Sequence, residues 1–242
     1  FYRGIVTGLN EAFVIDEETK EKLIAEDPKS AEIIKPFLRG RDIKRWRVEF
    51  QGRYLIFTRR GIRINDYPAI KKHLTQYKER LMPGSGRKPG NYEWYEIQDT
   101  IDYYAEFEKP KIIYQEIATF HAFAFDKEKR YLNNKCFFIP TDDFCLLAIL
   151  NSKLCWFYLH QKVSKYRGDA LALQAIHMEQ LPIARASEKE KTQIERLVAQ
   201  ILKQPDDERV ARWEAEIDEI VYRLYGLSEE EIKEIEEWYE RD

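Results

Sequence analysis

The run Lys35-Pro36-Phe37-Leu38-Arg39-Gly40-Arg41-Asp42-Ile43-Lys44-Arg45-Trp46-Arg47 interleaves cations with aromatic rings and a glycine. Arginine forks match phosphate oxygens and the acceptor edge of guanine, and rings beside them can orient a nucleic-acid backbone. Arg59-Arg60-Gly61-Ile62-Arg63 repeats the theme directly after an apolar stretch, where a turn would present its side chains. Lys165-Tyr166-Arg167-Gly168-Asp169 supplies a third cationic group, and Gln115, Asn133 and Asn134 offer amides of the kind that read base edges. Between positions 39 and 80 the chain carries thirteen basic residues, Lys71 and Lys72 among them, against the four acids Asp42, Glu49, Asp66 and Glu79. A solvated face with local ion pairs, such as Asp42 with Arg45, is the competing reading of part of this run. The excess of cations favours a polyanion site.

Binding chemistry is therefore present, and catalytic chemistry is hard to find. An amine-directed methyltransferase needs a glycine-rich cofactor loop after a strand and an Asn/Asp-Pro-Pro-Tyr/Phe element; the sequence contains neither Gly-x-Gly-x-x-Gly nor a Pro-Pro pair. A metal-dependent nuclease wants an Asp and a Glu-x-Lys on adjacent strands. Glu18-Thr19-Lys20 and Glu128-Lys129-Arg130 are loose matches of a kind expected by chance in a chain with 34% charged residues. The loop Pro83-Gly84-Ser85-Gly86-Arg87-Lys88-Pro89-Gly90 is not a P-loop, because Lys88 is followed by Pro89 rather than by Ser or Thr. It reads either as a surface loop or as a DNA contact through Arg87 and Lys88. Cys136, Cys145 and Cys155 lie nine and ten residues apart, unlike zinc-ligand spacing, and the four histidines are scattered; no metal is expected. An odd number of cysteines in apolar surroundings suits reduced thiols in the cytoplasm.

These side chains need a scaffold, and 242 residues with 44% hydrophobic and 14% aromatic content can bury a sizeable core. No apolar run is long enough to span a bilayer, so no membrane partner is expected. The opening Phe1-Tyr2-Arg3-Gly4-Ile5 reads as the inside of a fold, and the chain is expected to be a piece of a longer protein. The net charge of −3 conceals a basic front and an acidic rear. Strands are expected over 12–15, 53–57, 111–117, 121–125 and 135–139, with 121–125 and 131–139, around Asn133-Asn134, as a hairpin-like pair. A helix is expected from Pro68, with Ile70, Leu74, Tyr77 and Leu81 on its apolar face. The nearly all-apolar stretch 144–161 predicts a buried helix.

The tail is read as helical. Ser187 with Glu190 forms a capping box ahead of Ile194, Leu197, Val198 and Ile201. Gln204-Pro205-Asp206 breaks that helix, a second carries Val210, Trp213, Ile217, Ile220, Val221 and Leu224 up to Gly226, and Ser228 caps a third. The expectation is an α/β (α+β) recognition domain over 1–185 followed by a C-terminal antiparallel helical hairpin over 186–242 packed on it.

Seven segments together resemble a known family. They are Gly4-Ile5-Val6-Thr7-Gly8-Leu9-Asn10-Glu11-Ala12-Phe13-Val14-Ile15, the block from Ile33 to Trp46, Trp94-Tyr95-Glu96, Lys109-Pro110-Lys111-Ile112-Ile113-Tyr114-Gln115-Glu116-Ile117, Ile149-Leu150-Asn151-Ser152-Lys153-Leu154, Leu181-Pro182-Ile183 and 220–227. They look like the TaqI-like C-terminal specificity domain of adenine-specific DNA methyltransferases and type II restriction-modification enzymes. The resemblance implies that the chain reads double-stranded DNA and that a covalently linked N-terminal methyltransferase domain methylates a flipped adenine. S-adenosylmethionine, with magnesium where a nuclease is fused, would belong to that parent enzyme, and no cofactor to this chain. The rival reading is a protein-interaction module, with Trp213 and Trp238 on the acidic tail docking a partner subunit.

Overall fold

Ile112-Ile113-Tyr114 is an uninterrupted apolar run, and all three side chains are fully buried. A strand apolar on both faces must lie between two layers, and the rest of the molecule is arranged around that requirement. The computed structural model describes residues 1–166 and 168–241. Strand β1 (Tyr2–Arg3) leads into helix α1 (Asn10–Phe13), strand β2 (Val14–Asp16) and helix α2 (Glu17–Glu26). Strands β3 (Ile34–Leu38) and β4 (Arg53–Ile56) precede helices α3 (Pro68–Thr75) and α4 (Lys78–Leu81). Then come β5 (Lys111–Gln115), β6 (Ile117–Ala118), β7 (Phe123–Asp126), β8 (Tyr131–Leu132) and β9 (Cys136–Ile139). Helices α5 (Phe144–Leu150) and α6 (Lys153–Lys162), strand β10 (Leu171–Ala172) and helix α7 (Ala175–Met178) follow, before α8 (Glu188–Lys203), α9 (Val210–Leu224) and α10 (Glu229–Tyr239).

One sheet has the order β1-β9-β5-β7, all antiparallel, and a second has the order β2-β4-β3-β8, with β3 and β8 parallel. Side chains of the first sheet alternate between two cores, as the period of two requires. Ile113, Ala124, Cys136 and Phe138 face the core shared with the second sheet and helices α1 to α4. Ile112, Tyr114, Phe123 and Phe137 face the core filled by α5, α6, α8 and α9. At one end of β5 the fully buried pair Lys111–Asp126 meets at 2.7 Å, with Arg130 bonding the other carboxylate oxygen at 2.6 Å.

Several expectations are corrected here. Segments 121–125 and 131–139 do not pair as a hairpin: β7 and β9 flank β5 on opposite sides, because the doubly buried strand takes the centre. Residues Ala12 and Phe13 end a helical turn, and the strand begins only at Val14. The helix from Pro68 stops at Thr75 and resumes at Lys78. The stretch 144–161 is two helices. Asn151 leaves the helix to exchange hydrogen bonds with the Phe123 backbone (3.1 and 2.9 Å), and Ser152 caps α6 by accepting from the Cys155 amide. Strand β3 was hidden by Pro36, which disfavours a central strand. The structure tolerates it because Pro36 is registered only with Tyr54 of β4, and pairing with β8 begins at Phe37.

In the tail, both serine capping boxes form, and Gly226 adopts the left-handed conformation (φ +66°) that terminates α9. Ile194, Leu197, Val198 and Ile201 of α8 and Ile217, Ile220 and Val221 of α9 complete the second core. Asp218 on α9 accepts a hydrogen bond from the Lys153 amide at the start of α6 (3.0 Å), and burial pushes its carboxyl up to about 6. A carboxyl that holds its proton more tightly when folded contributes stability below its unfolded value near 3.8, lost as pH rises through about 6. Asp218→Asn keeps an acceptor oxygen and is expected to raise neutral-pH stability by up to roughly 3 kcal/mol, the linkage value of about two pK units. Urea midpoints of both proteins from pH 4 to 7 check this. A difference between them that does not change with pH contradicts it.

Candidate nucleic-acid interface

The cation-rich run after β3 divides into two parts with different employment. Lys44 and Arg47 exchange backbone hydrogen bonds (2.9 and 3.3 Å) and put Arg45 and Trp46 at the corner of a turn. Trp46 sits at φ +66°, a region that costs a non-glycine residue about 1–3 kcal/mol. Its indole is buried, its amide bonds to the Phe123 carbonyl (3.0 Å), and its Nε1 donates to Glu214 of α9 (2.5 Å). Arg45 ion-pairs with the same Glu214 (2.9 Å) and donates to the Asn151 carbonyl (2.8 Å) and to Tyr239 of α10 (3.3 Å). It also lies 2.9 Å from Nε2 of His121, which burial and the Arg45 charge hold neutral, so that Nε2 accepts. Arg45 therefore joins the turn to four other parts of the chain, and its guanidinium also lies 5.6 Å from the centroid of the exposed Phe120 ring.

Of the preceding residues Arg41 is exposed, Arg39 half-buried and Asp42 buried. Arg41 makes no side-chain hydrogen bond or ion pair among the described residues, and Arg39 makes no ion pair among them. Asp42 is turned inward, where it caps the Arg39 amide (2.7 Å) and meets Arg53 (3.3 Å). The Arg39 loop lies against the end of β5: a Cβ on Gly40 would stand 3.3 Å from Oε1 of Gln115, whose Nε2 donates to the Ile43 carbonyl (3.3 Å). Gln115 is registered with Cys136 of β9, so Asn133 and Asn134 enter the same rim. The Asn133 amide bonds to the Leu38 carbonyl (2.9 Å) and the Asn134 amide to the Ile5 carbonyl (3.1 Å). Gly4 makes this approach possible, because a Cβ there would fall 1.9 Å from the Asn133 carbonyl oxygen.

Beyond Gln115, β6 pairs with β10, and Lys165 bridges to Leu171 of β10, which brings Lys165 and Tyr166 alongside. Lys165 meets Asp169 at 2.6 Å. Arg167 lies outside the described residues. On the other side, Asn134 and Lys88 line a groove of about 820 Å³ with Arg3, Ser85, Gln98 and Asp99. Two members of this rim were missed in the sequence. Arg3 donates to the Asn134 carbonyl (3.0 Å), and exposed Lys135 stands 3.4 Å from Glu116. A single arginine and a single lysine carry no pattern; only strand pairing assembles them.

The remaining candidates are placed elsewhere. Arg87 is buried beneath its loop, donating to the carbonyls of Leu81 (2.8 Å), Thr7 (3.2 Å), Glu96 (2.7 Å) and Trp94 (2.9 Å), so it is the fastener of that loop. Arg60 likewise holds the carbonyls of Ile97 and Gln98 (the latter at 2.6 Å). Arg47 pairs with Asp206 and Glu49, Lys44 with Glu49 (3.9 Å), Arg63 with Asp66 (3.2 Å) and Lys72 with Glu26 (2.8 Å). Lys71 donates to Asn65 (2.8 Å), and Arg59 lies over the Tyr104 ring at 4.7 Å. Trp213 is buried in the second core, and Trp238 packs edge-on to Phe157 (5.3 Å), so both tail tryptophans turn inward.

Exposed Arg41 and Lys135 thus stand at the sheet end where Gln115, Asn133 and Asn134 lie. The chain belongs to the TaqI-like C-terminal specificity domain family, whose pattern it matches over residues 35–183. It is 25% identical over 242 residues to the type II methyltransferase M.BstVI of Geobacillus stearothermophilus, covering 97% of this chain and 40% of that protein. Its fold is similar to that of the Type IIL restriction-modification enzyme MmeI, solved in complex with DNA, with a TM-score of 0.67 at 16% identity. That likeness covers 94% of this chain and 32% of the MmeI chain.

The division between fastening and displayed arginines can be tested by stability. Arg45→Met leaves the half-buried Glu214 carboxylate without its cation and should lower unfolding free energy by about 1–3 kcal/mol, whereas Arg41→Ala should stay within about 0.5 kcal/mol of wild type. Equal urea midpoints for the two variants would contradict the division.

Proposed function

We propose that this chain recognises double-stranded DNA as the specificity domain of a longer restriction-modification methyltransferase. The observation that carries the reading is that Arg39 and Arg41, cations without an acid partner among the described residues, stand at the same sheet end as Gln115, Asn133 and Asn134, where Gln115 Nε2 donates to the Ile43 carbonyl and Asn133 Oδ1 accepts from the Lys135 amide. Arginines there suit phosphate or guanine, and the amides suit adenine. Membership of the family, and relatives named as a methyltransferase and as a DNA-bound restriction-modification enzyme, support it. Residues 1–185 carry the recognition surface, and 186–242 brace it.

The larger share of the parent's chemistry falls to sequence that this chain does not span. A linked N-terminal methyltransferase domain would bind S-adenosylmethionine and act on an adenine swung out of the duplex. Extrusion of a base costs a few kcal/mol, which contacts made by both domains offset. This chain's part is to hold the duplex in register for that event, without a cofactor of its own.

Binding to a pool of random-sequence duplexes at two salt concentrations, with sequencing of the bound fraction, tests the proposal. An enriched motif and a steep salt slope are expected. Arg41→Ala should then either weaken all sequences and reduce the salt slope by about one, the mark of a phosphate contact, or cost about 1–3 kcal/mol at one guanine position. No binding at low salt would refute the proposal, and unchanged affinity of Arg41→Ala for every duplex would remove Arg41 from the surface.

A further inference from the structure

The sequence marks Arg59 as a DNA contact, yet the structure sets it apart from the Arg39–Gln115 rim, at the mouth of a separate cavity of about 290 Å³. That volume lies at the small end of ligand sites, which run from roughly 300 to 1,000 Å³, and suits one flat ring system rather than a peptide. The Tyr104 ring is 36% exposed, with the Arg59 guanidinium 4.7 Å from its centroid. Behind it are Phe57, whose ring centroid is 6.3 Å from that of Tyr104, and the buried Tyr131, 5.0 Å from Phe57. The cavity thus has an aromatic floor and a guanidinium–aromatic stack at its rim, both surfaces on which a base can lie.

Its polar groups are of both signs. Glu108 accepts from the Tyr131 hydroxyl (2.8 Å) and stands 3.4 Å from the Lys35 ammonium through the same oxygen, Oε1. Oε2 of Glu108 has no hydrogen-bond partner among the described residues. Across the cavity Glu32 accepts from the Tyr67 hydroxyl (2.9 Å). Two carboxylates and two cations line one small space. A phosphate would meet the carboxylates, and a bare cation would meet Lys35 and Arg59. A neutral planar ligand with an amine donor on one edge and a ring or carbonyl acceptor on another satisfies both.

We infer that this cavity takes a single unpaired nucleobase bearing an exocyclic amine, stacked on Tyr104 and Arg59, its amine directed to Glu108 and its acceptor to Lys35. The inference rests on the DNA-recognition reading for the source of the base, a nucleotide turned out of the duplex beside the bound face; a free nucleoside would offer the same chemistry.

The test uses the whole chain, with free adenosine, cytidine and guanosine in one arm. The other arm uses duplexes carrying one unpaired 2-aminopurine, whose fluorescence reports a change in stacking. A 2-aminopurine response on binding, together with a preference for the bulged over the fully paired duplex, is expected. Tyr104→Ala should weaken that preference by about 5- to 150-fold, the range of base–aromatic stacking, and Tyr104→Phe should restore it. Tyr104 is partly exposed, so its truncation leaves the core intact; Glu108→Gln, which retains an acceptor for the Tyr131 hydroxyl, is a second probe and should alter the preference among the three nucleosides. Binding of free nucleosides without a bulge preference assigns the site to a soluble ligand and overturns the duplex source. Equal affinity of wild type and Tyr104→Ala for bulged duplex, with no nucleoside binding, overturns the base pocket while DNA recognition stands. Loss of all duplex binding by the wild type overturns the DNA reading itself.

Discussion

A guanidinium drawn partly out of water must have its charge answered, or it destabilises the fold. The charge of Arg45 is answered by Glu214 of α9, and its terminal nitrogens donate to the Asn151 carbonyl between α5 and α6, to His121 ahead of β7 and to Tyr239 of α10. These partners lie 76 to 194 residues away along the chain, so the network forms only when the sheets and the C-terminal helices are together. Trp46 reinforces it by sharing Glu214 and by accepting a left-handed backbone that only burial and hydrogen bonding can offset. The turn so fixed holds Ile43, whose carbonyl receives Gln115, and thereby the Arg39–Arg41 loop against β5. The rim inherits its geometry from a half-buried cation.

The same logic sorts the basic stretch. Read along the chain, the cations between 39 and 80 outnumber their acids, but Asp42, Glu49 and Asp66 within the stretch are joined in pairing by acids from elsewhere: Glu214, Asp206, Glu96, Glu26 and Glu11. Once these pairs are drawn, Arg39 and Arg41 remain near Gln115, Asn133 and Asn134, Arg59 remains over Tyr104, Lys71 on Asn65 and Lys78 over Trp94. Exposed ion pairs contribute little to stability, but they lower the local field and so mark faces on which a polyanion gains less. The mixed-charge lining of the Arg59 cavity and the cationic rim at Arg41 are therefore suited to different parts of a nucleic acid, the base and the backbone.

Much of this was legible before the structure. The capping boxes at Ser187 and Ser228, the Pro205 break and the Gly226 terminator are local chemistry, and local chemistry is written in neighbouring residues. Gln115, Asn133 and Asn134 lie at one end of β5 and β9, with the amide groups of Gln115 and Asn133 engaged by the Ile43 carbonyl and the Lys135 amide. What could not be read was pairing over distance. Pro36 concealed β3, the Asn133-Asn134 turn suggested a hairpin that β5 interrupts, and Arg87 looked like a solvent-facing loop residue although five carbonyls from three segments surround it. Arg3 and Lys135 join the rim only through the pairing of β1 and β9.

The central claim is that recognition runs through the rim at the end of β5 and not through the lysine-bearing helices α3 and α4. Backbone hydrogen exchange of the whole chain, free and saturated with a selected duplex, tests it most directly. The account predicts slowed exchange over 39–43, 115–118 and 133–135, with α3 and α4 unchanged. Protection confined to 68–81, with the rim exchanging as in the free protein, would contradict it.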